Sequence, residues 1–170
     1  TTLKDCGYAQ LKELFAVLDT LKEQVIMLYP NCDAGGKQFI TLIKSYEKKP
    51  YLHTFTSLPH EEFLGIMKSV DVMIGNSSSG IIEAPSFKLP VINIGTRQQG
   101  RARSGNIIDI APERHEILDA IDFALHNKEF MKKVRTCKNL FGDGTATYKM
   151  VKILKDIPLD EHFIQKQITY

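Results

Sequence analysis

Residues 70–103 constrain the fold more than any other part of this 170-residue chain. Residues 70–74 form a short, apolar, β-branched run that ends at a cluster of glycine, asparagine and serine too small and polar to continue a strand. A short helix is expected at residues 81–87, followed by a second buried strand, Val91–Ile94. This order predicts a βαβ unit whose loops lie at the carboxyl edge of a parallel sheet, where such sheets bind ligands.

The loop after the first strand, residues 75–80, is called the serine loop. Ser77, Ser78 and Ser79 offer hydroxyl groups and closely spaced backbone N–H groups, and the dipole of the following helix favours an anion at the same place. Glu83, one turn further on, would repel a phosphate but can accept hydrogen bonds from both hydroxyls of a ribose. A phosphate site beside a diol site predicts nucleotide binding.

The loop after the second strand, residues 95–105, is called the arginine loop. It carries Arg97, Arg101 and Arg103, whose guanidinium groups can bind phosphate in a bidentate manner and stay charged at any working pH. A simpler interpretation is that the serines only cap a helix and the arginines are solvated. The residues alone leave both interpretations open.

Length and composition predict a single domain over residues 1–170, since 43% of the residues are hydrophobic. A formal net charge of +2 is too small to indicate binding to nucleic acid or to a membrane surface. Cys6, Cys32 and Cys137 are odd in number and widely spaced, which argues against disulfides or structural zinc and favours a cytoplasmic setting. The start at Thr1-Thr2, without methionine, suggests an excised fragment.

Strands and helices alternate along the rest of the chain. Apolar periodicity predicts strands at residues 24–29, 51–56 and 106–110, and helices at residues 8–21, 37–48, 60–69, 112–125, 128–137 and 148–155. The first strand is uninterrupted and apolar, as expected of a central strand covered on both faces. The predicted fold is an α/β fold, an open and mostly parallel sheet with helices on both faces.

Two further positions at the same sheet edge are candidates for ligand binding. Asn31 and Asp33 follow the first strand and could face the ligand, but turn and capping roles are the alternative for both and the favoured interpretation for Asp33. The pattern makes Phe63 a core residue, which would stack on a base only if it lies near the opening of a site. The histidines are not in ligand-like spacing, and no metal site or histidine-based catalysis is predicted.

The motif G-N-S-S-S-G-I-I-E-A-P at residues 75–85, followed by L-P-V-I-N-I-G-T-R-Q-Q-G-R at residues 89–101, resembles the hydrolysing UDP-N-acetylglucosamine 2-epimerases. The G-T-R-Q-x-G-R form is similar to the branch that supplies sialic and legionaminic acid synthesis. Y-P-N-x-D-A-G at residues 29–35, Leu58-Pro59 with Phe63, and F-G-D-G at residues 141–144 extend the resemblance over almost the whole chain.

The resemblance implies the C-terminal, UDP-binding Rossmann-like domain of a two-domain enzyme in the glycosyltransferase B arrangement, with the missing N-terminal domain as its partner. It also implies no cofactor and no metal, and allows a homodimer of the full-length enzyme. The implied UDP contacts are Ser77 and Ser78 to the diphosphate, Glu83 to the ribose, Leu58 (backbone) and Phe63 to the uracil, Asn31 and Arg97 to polar groups, and Arg101 to the phosphates.

The reaction implied by the resemblance is proton removal at C2 of the sugar, anti elimination of UDP to 2-acetamidoglucal, and addition of water to give the 2-epimer. The family's acid and base residues belong to the other domain, so no catalytic residue is predicted here, and the fragment alone is expected to be inactive. Alternatives are the donor-binding domain of a UDP-sugar glycosyltransferase and a non-enzymatic module that senses a nucleotide.

Overall fold

The computed structural model describes residues 6–21, 23–30, 36–161 and 165. The chain divides into two compact units, Thr1–Asn139 and Leu140–Tyr170. The described strands all belong to the first unit. They are β1 (Val25–Leu28), β2 (Leu52–Phe55), β3 (Met73–Gly75), β4 (Val91–Ile94) and β5 (Ile107–Ile110).

The first unit also contains helices α1 (Cys6–Leu21), α2 (Gly36–Tyr46), α3 (His60–Ser69), α4 (Ser79–Ile82), α5 (Arg114–His126) and α6 (Lys128–Thr136), and a 3-10 helix (Ala84–Phe87). The second unit contains α7 (Ala146–Asp156). The predicted alternation of strands and helices is therefore confirmed. The bounds of α3 and β4 match their predictions at both ends.

All described strand pairs are parallel, as predicted. They form two hydrogen-bonded sheets, β1-β2 and β3-β4-β5, where a single sheet was expected. Residues from both sheets, including Leu52 of β2 and Ile92 of β4, enter the same hydrophobic cluster. The two sheets therefore share one core.

Strand β4 shows how helices cover both faces of the three-stranded sheet. Ile92 and Ile94 face the larger hydrophobic cluster, which includes Phe15 of α1 and Ile117 of α5. Val91 points the opposite way and packs with Met67 of α3 and with Ala84, Leu89 and Phe63 in a second cluster. Alternate side chains of a strand point to opposite faces, so helices lie on both faces of the sheet, as predicted.

The prediction that β1 is covered on both faces is wrong for the described residues. Val25 and Met27 pack against the larger cluster, whereas Ile26 and Leu28 are 43% and 37% exposed. Phe55 of β2, paired with Leu28, is also exposed. An apolar run cannot distinguish a strand with two covered faces from a strand with one, because burial depends on which helices pack there.

The helix predicted at residues 81–87 is two short pieces. The α-helical turn α4 ends at Ile82, and the 3-10 helix begins at Ala84 with Pro85 in its first turn. Proline has no N–H to donate to the preceding turn, so a continuous α-helix is interrupted there. Lys88 then ends the segment in the left-handed conformation, with φ of 55°.

In the second unit, Asp143 organises the start of α7. Its carboxylate accepts hydrogen bonds from the Thr145 N–H, at 2.9 Å, and from the Lys149 ammonium, at 3.2 Å. The apolar side chains of this helix, Tyr148, Met150, Val151, Ile153 and Leu154, are exposed. None of the described helices has the length and apolar character that a membrane crossing requires.

Candidate nucleotide-binding site

Strand register brings the serine loop and the arginine loop to the same sheet edge. Strands β3 and β4 are parallel neighbours, with Gly75 paired to Asn93 at the end of β3. The serine loop follows β3 and the arginine loop follows β4, so the two loops leave the sheet side by side. Adjacent parallel strands with loops at the carboxyl edge are the arrangement expected of a ligand site.

A buried glutamine joins the two loops directly. The side-chain Nε2 of Gln98 donates a hydrogen bond to the main-chain oxygen of Asn76 at 2.7 Å. Gln98 is only 3% exposed. Asn76 directly precedes Ser77 and Gln98 directly follows Arg97, so this bond lies between the two segments for which phosphate contacts were predicted.

The serine loop is held mainly by its own hydrogen bonds. The Ser77 hydroxyl oxygen accepts from the Ser79 N–H at 3.3 Å, and the main-chain oxygen of Ser77 accepts from the Gly80 N–H at the same distance. Ser78 is the N-cap residue of α4, but its side chain makes no capping hydrogen bond. Helix capping therefore does not account for the Ser78 hydroxyl, whereas the Ser77 hydroxyl already has a local role.

The shortness of α4 weakens the expectation that a helix dipole attracts an anion to the serine loop. A helix of four residues has only one turn of aligned peptide dipoles, and two of the loop amides are already engaged within the loop. Gly80 lets this turn lie close to the sheet, since a Cβ there would come within 2.8 Å of Cγ1 of Val91. Hydroxyl groups and the remaining amides, more than a dipole, would have to bind an anion here.

Glu83 lies between α4 and the 3-10 helix, and its main chain is fixed on both sides. Its N–H donates to the Ser79 oxygen at 3.0 Å. The Nδ2 atom of Asn139 donates to the Ile82 oxygen at 2.8 Å and to the Ser86 hydroxyl at 2.7 Å. No local pattern indicates this role of Asn139, because its partners lie more than fifty positions away along the chain.

The three arginines of the second loop have different surroundings. Arg97 and Arg101 are exposed. Arg103 is partly buried: its Nε and Nη2 atoms donate to the two carboxylate oxygens of Asp109 at 3.0 and 3.1 Å, and Nη2 also donates to the Gln98 oxygen at 2.8 Å. Its Nη1 atom donates to the Arg101 oxygen at 3.0 Å. The expectation that Arg103 binds phosphate is therefore corrected, since its donors already hold the arginine loop.

Asp109, on β5, anchors this arrangement. Asn93 of β4 donates to its Oδ1 atom at 2.6 Å. Burial alone would raise the pKa of the Asp109 carboxyl, but the hydrogen bonds from Arg103 and Asn93 outweigh burial and hold that pKa below its ordinary value. Asp109 is therefore an ionised anchor at neutral pH.

The other predicted contact residues have the following positions. Leu58 is partly buried in the connection between β2 and α3. Phe63, on α3, packs partly buried against the second hydrophobic cluster, in agreement with its core pattern, and its N–H donates to the Pro59 oxygen at 3.0 Å. Asn31 and Asp33 lie outside the described residues.

One group of described side chains has the composition of a cation site. Ligand atoms of Glu113, His115 and Glu116, at the start of α5, lie within 4.8 Å of one another. Glu116 already accepts a hydrogen bond from the Ala111 N–H at 2.8 Å, and the other two are exposed. Exposed carboxylates often lie together without a metal ion, so this group is given no ligand-binding role.

The family model for UDP-N-acetylglucosamine 2-epimerase matches residues 5–155. The chain belongs to the UDP-N-acetylglucosamine 2-epimerase family. A UDP-N,N'-diacetylbacillosamine 2-epimerase (hydrolyzing) from Legionella pneumophila is 40% identical over 147 residues, 86% of this chain and 38% of that protein. A GDP/UDP-N,N'-diacetylbacillosamine 2-epimerase (hydrolyzing) from Campylobacter jejuni is 39% identical, over 89% of this chain and 40% of that protein.

A solved structure also shares the fold of this epimerase-family chain. The UDP-GlcNAc 2-epimerase of Methanocaldococcus jannaschii, in complex with UDP-GlcNAc and UDP, aligns with a TM-score of 0.66 at 18% identity, over 86% of this chain and 41% of that one. The predicted family and Rossmann-like α/β fold are thus confirmed. The chain spans about two fifths of the length of these relatives, 38% and 40%.

Proposed function

We propose that this epimerase-family chain binds the UDP part of a nucleotide sugar and forms the C-terminal, UDP-binding domain, residues 1–170, of a hydrolysing 2-epimerase. The observation that carries the proposal is the hydrogen bond from Gln98 to Asn76, which joins the serine loop and the arginine loop at one sheet edge. Family membership supplies the ligand class, and the joined loops supply hydroxyl and guanidinium groups suited to a diphosphate.

In this proposal each candidate residue has a stated role. Ser77 and Ser78 bind the diphosphate, with Arg97 and Arg101 providing positive charge from the arginine loop. Glu83 accepts hydrogen bonds from the ribose hydroxyls, and the short fixed connection between α4 and the 3-10 helix sets its distance from the serines. The Leu58 backbone and Phe63 contact the uracil, and Asn31 contacts a polar group of the nucleotide.

The reaction gives this domain an electrostatic task. Elimination of UDP from the sugar develops negative charge on the departing diphosphate, and fixed donors aimed at that charge lower the barrier. Arg97 and the serine hydroxyls are the groups of this chain suited to that task. The proton transfers at C2 and the hydration of the glucal require acid and base groups from the N-terminal domain, which is the proposed intramolecular partner.

The proposed substrate is UDP-N-acetylglucosamine or its 2,4-diacetamido analogue. The names of the Legionella and Campylobacter relatives refer to UDP-N,N'-diacetylbacillosamine, and the Campylobacter name also refers to the GDP form. The products are UDP and the free 2-epimeric sugar. No metal or cofactor has a role in this proposal. The spacing of the cysteines supports a cytoplasmic location, and a homodimer of the full-length enzyme is proposed as the assembly.

Product analysis with the native-length protein tests the function. Each of the two UDP-sugars is incubated without an acceptor, and UDP and free sugar are separated and identified. The proposal expects equimolar UDP and free 2-epimer from at least one substrate. UDP release that requires an added sugar acceptor would instead indicate a glycosyltransferase, and UDP binding without turnover of either substrate would indicate a sensing module.

A further inference from the structure

The Gln98 network is the set of hydrogen bonds that runs from Asn93 through Asp109, Arg103 and Gln98 to the main chain of Asn76. Within it, Gln98 is held at two points. Its main-chain oxygen accepts from Arg103 at 2.8 Å, and its side-chain amide donates to Asn76 at 2.7 Å. The side chain of Gln98 is therefore the link that connects an anchored arginine loop to the serine loop.

Because of where this bond lies, the relative position of the two loops depends on it. Asn76 and Ser77 share a peptide bond, and so do Arg97 and Gln98. A movement of the Gln98 amide relative to Asn76 would therefore change the distance between the proposed serine and arginine contacts to one diphosphate. A misplacement of about 1 Å in an active site can cost about a hundredfold in rate, so the separation of these two contacts matters for the reaction.

The same side chain carries an unfavourable feature for stability. Its Oε1 atom is buried and has no hydrogen-bond partner among the described residues. A buried acceptor without a partner is destabilising, and an apolar side chain of similar volume would avoid that penalty. Methionine would avoid the unpaired acceptor but would leave the Asn76 oxygen without its donor, so the amide at this position is explained by the bond it makes to the serine loop.

We propose that Gln98 is a positioning residue that fixes the arginine loop against the serine loop so that both face one diphosphate. This inference rests on the proposed binding of UDP. Gln98 is buried and is not proposed to contact the ligand itself. It acts by fixing the positions of the residues that do. Its removal should therefore weaken recognition of the diphosphate and leave recognition of the nucleoside unchanged.

The test compares UDP and uridine binding by wild type, Gln98→Met and Gln98→Glu. Methionine removes the donor and the unpaired acceptor, whereas glutamate keeps the shape of the side chain and presents a carboxylate oxygen to the Asn76 oxygen. Gln98→Met should bind UDP roughly five- to tenfold more weakly, as expected for loss of one hydrogen bond, and Gln98→Glu at least as weakly, because its carboxylate also repels the Asn76 oxygen. Uridine affinity, measured by NMR titration, should be unchanged in both variants. Gln99→Met, at the exposed neighbouring position, is the matched control and should bind like wild type.

The outcomes separate the inference from the proposed function. Wild-type protein that does not bind UDP would overturn the proposed function and the inference with it. Normal UDP binding by Gln98→Met, or an equal loss of UDP and uridine affinity, would overturn the inference alone. Failure of both variants to fold would also contradict it, because Gln98→Met loses one hydrogen bond and one buried unpaired acceptor together and is predicted to melt close to the wild-type temperature.

Discussion

The serine loop and the arginine loop lie side by side but are held in different ways. Hydrogen bonds between residues two to four positions apart define the serine loop, such as those from the Ser79 N–H to Ser77 and from the Ile82 N–H to Ser78. The arginine loop has turns of its own and is also tied by side chains to other elements, through Arg103 to Asp109 on β5, six positions away, and through Gln98 to Asn76, 22 positions away.

This difference means that the shapes of the two loops have different physical determinants. Glycine and serine side chains specify the serine loop locally, so its shape depends on steric fit to the sheet below. The arginine loop depends on a partly buried polar network, so its shape depends on hydrogen-bond partners and on charge. Substitutions should therefore act through packing in the first loop and through electrostatics in the second.

The largest expected effect is steric, in the serine loop. Gly80→Val places a branched side chain where even a Cβ would lie 2.8 Å from Val91, so α4 must move away from β4. The free energy of unfolding should fall by about 3 kcal/mol, measured by urea denaturation. Gly65→Val is the control for helix propensity, because a Cβ at Gly65 meets no atom within 4 Å. Equal losses in both variants would contradict close packing at Gly80.

The second prediction contrasts two arginines of the same loop. Arg97→Lys should weaken UDP binding by about 2 kcal/mol in calorimetry, since an ammonium cannot replace a bidentate guanidinium contact with phosphate. Arg103→Lys should instead lower the free energy of unfolding by about 1 kcal/mol, because its lost contacts are to Asp109 and to main-chain oxygens. Unchanged UDP affinity in Arg97→Lys would place that side chain outside the site.

The third prediction tests the ribose role of Glu83. Glu83→Gln should weaken UDP by about 1 kcal/mol, because a neutral amide oxygen accepts hydrogen bonds from the diol less strongly than a carboxylate. The same substitution should have little effect on 2',3'-dideoxy-UDP. Equal losses for the two ligands in calorimetry would show that Glu83 does not contact the ribose.

The smallest expected effect is a pH dependence in the arginine-loop anchor. Since the pKa of Asp109 is lowered on folding, its carboxylate stabilises the protein above the unfolded value of about 3.9, and that contribution disappears as the pH falls through the lower folded value. Asp109→Asn should lower the free energy of unfolding by about 0.5 kcal/mol at pH 7, since the side chain is 50% exposed, and by less at pH 3. A difference that grows towards pH 3 would contradict the sign of the shift.

Local signals account for what could be predicted from the sequence. Proline and glycine mark the bounds of two elements: Pro59 precedes α3, and Pro90 and Gly95 flank β4. The predicted bounds of these two elements match the structure at both ends. The adjacency of the two loops followed from the βαβ order, because parallel neighbours place their loops at one edge. These features depend on residues close together in the chain.

Features that depend on partners in another structural element were missed or misassigned. Arg103 has the composition of a phosphate ligand, and only Asp109 on the next strand shows that its donors are occupied. Gln98 and Asn139 carry no pattern that indicates their long-range bonds to Asn76 and Ile82. The apolar run of β1 likewise does not show that Ile26 and Leu28 face an exposed side.

Convergence of the two loops on one UDP molecule is tested most directly by an NMR titration of the isotope-labelled chain with UDP. The backbone amide signals of Ser77, Ser78 and Arg97 should all shift, with a single common dissociation constant. Saturable UDP binding that shifts signals in only one loop, or that gives different constants for the two loops, would contradict a shared site.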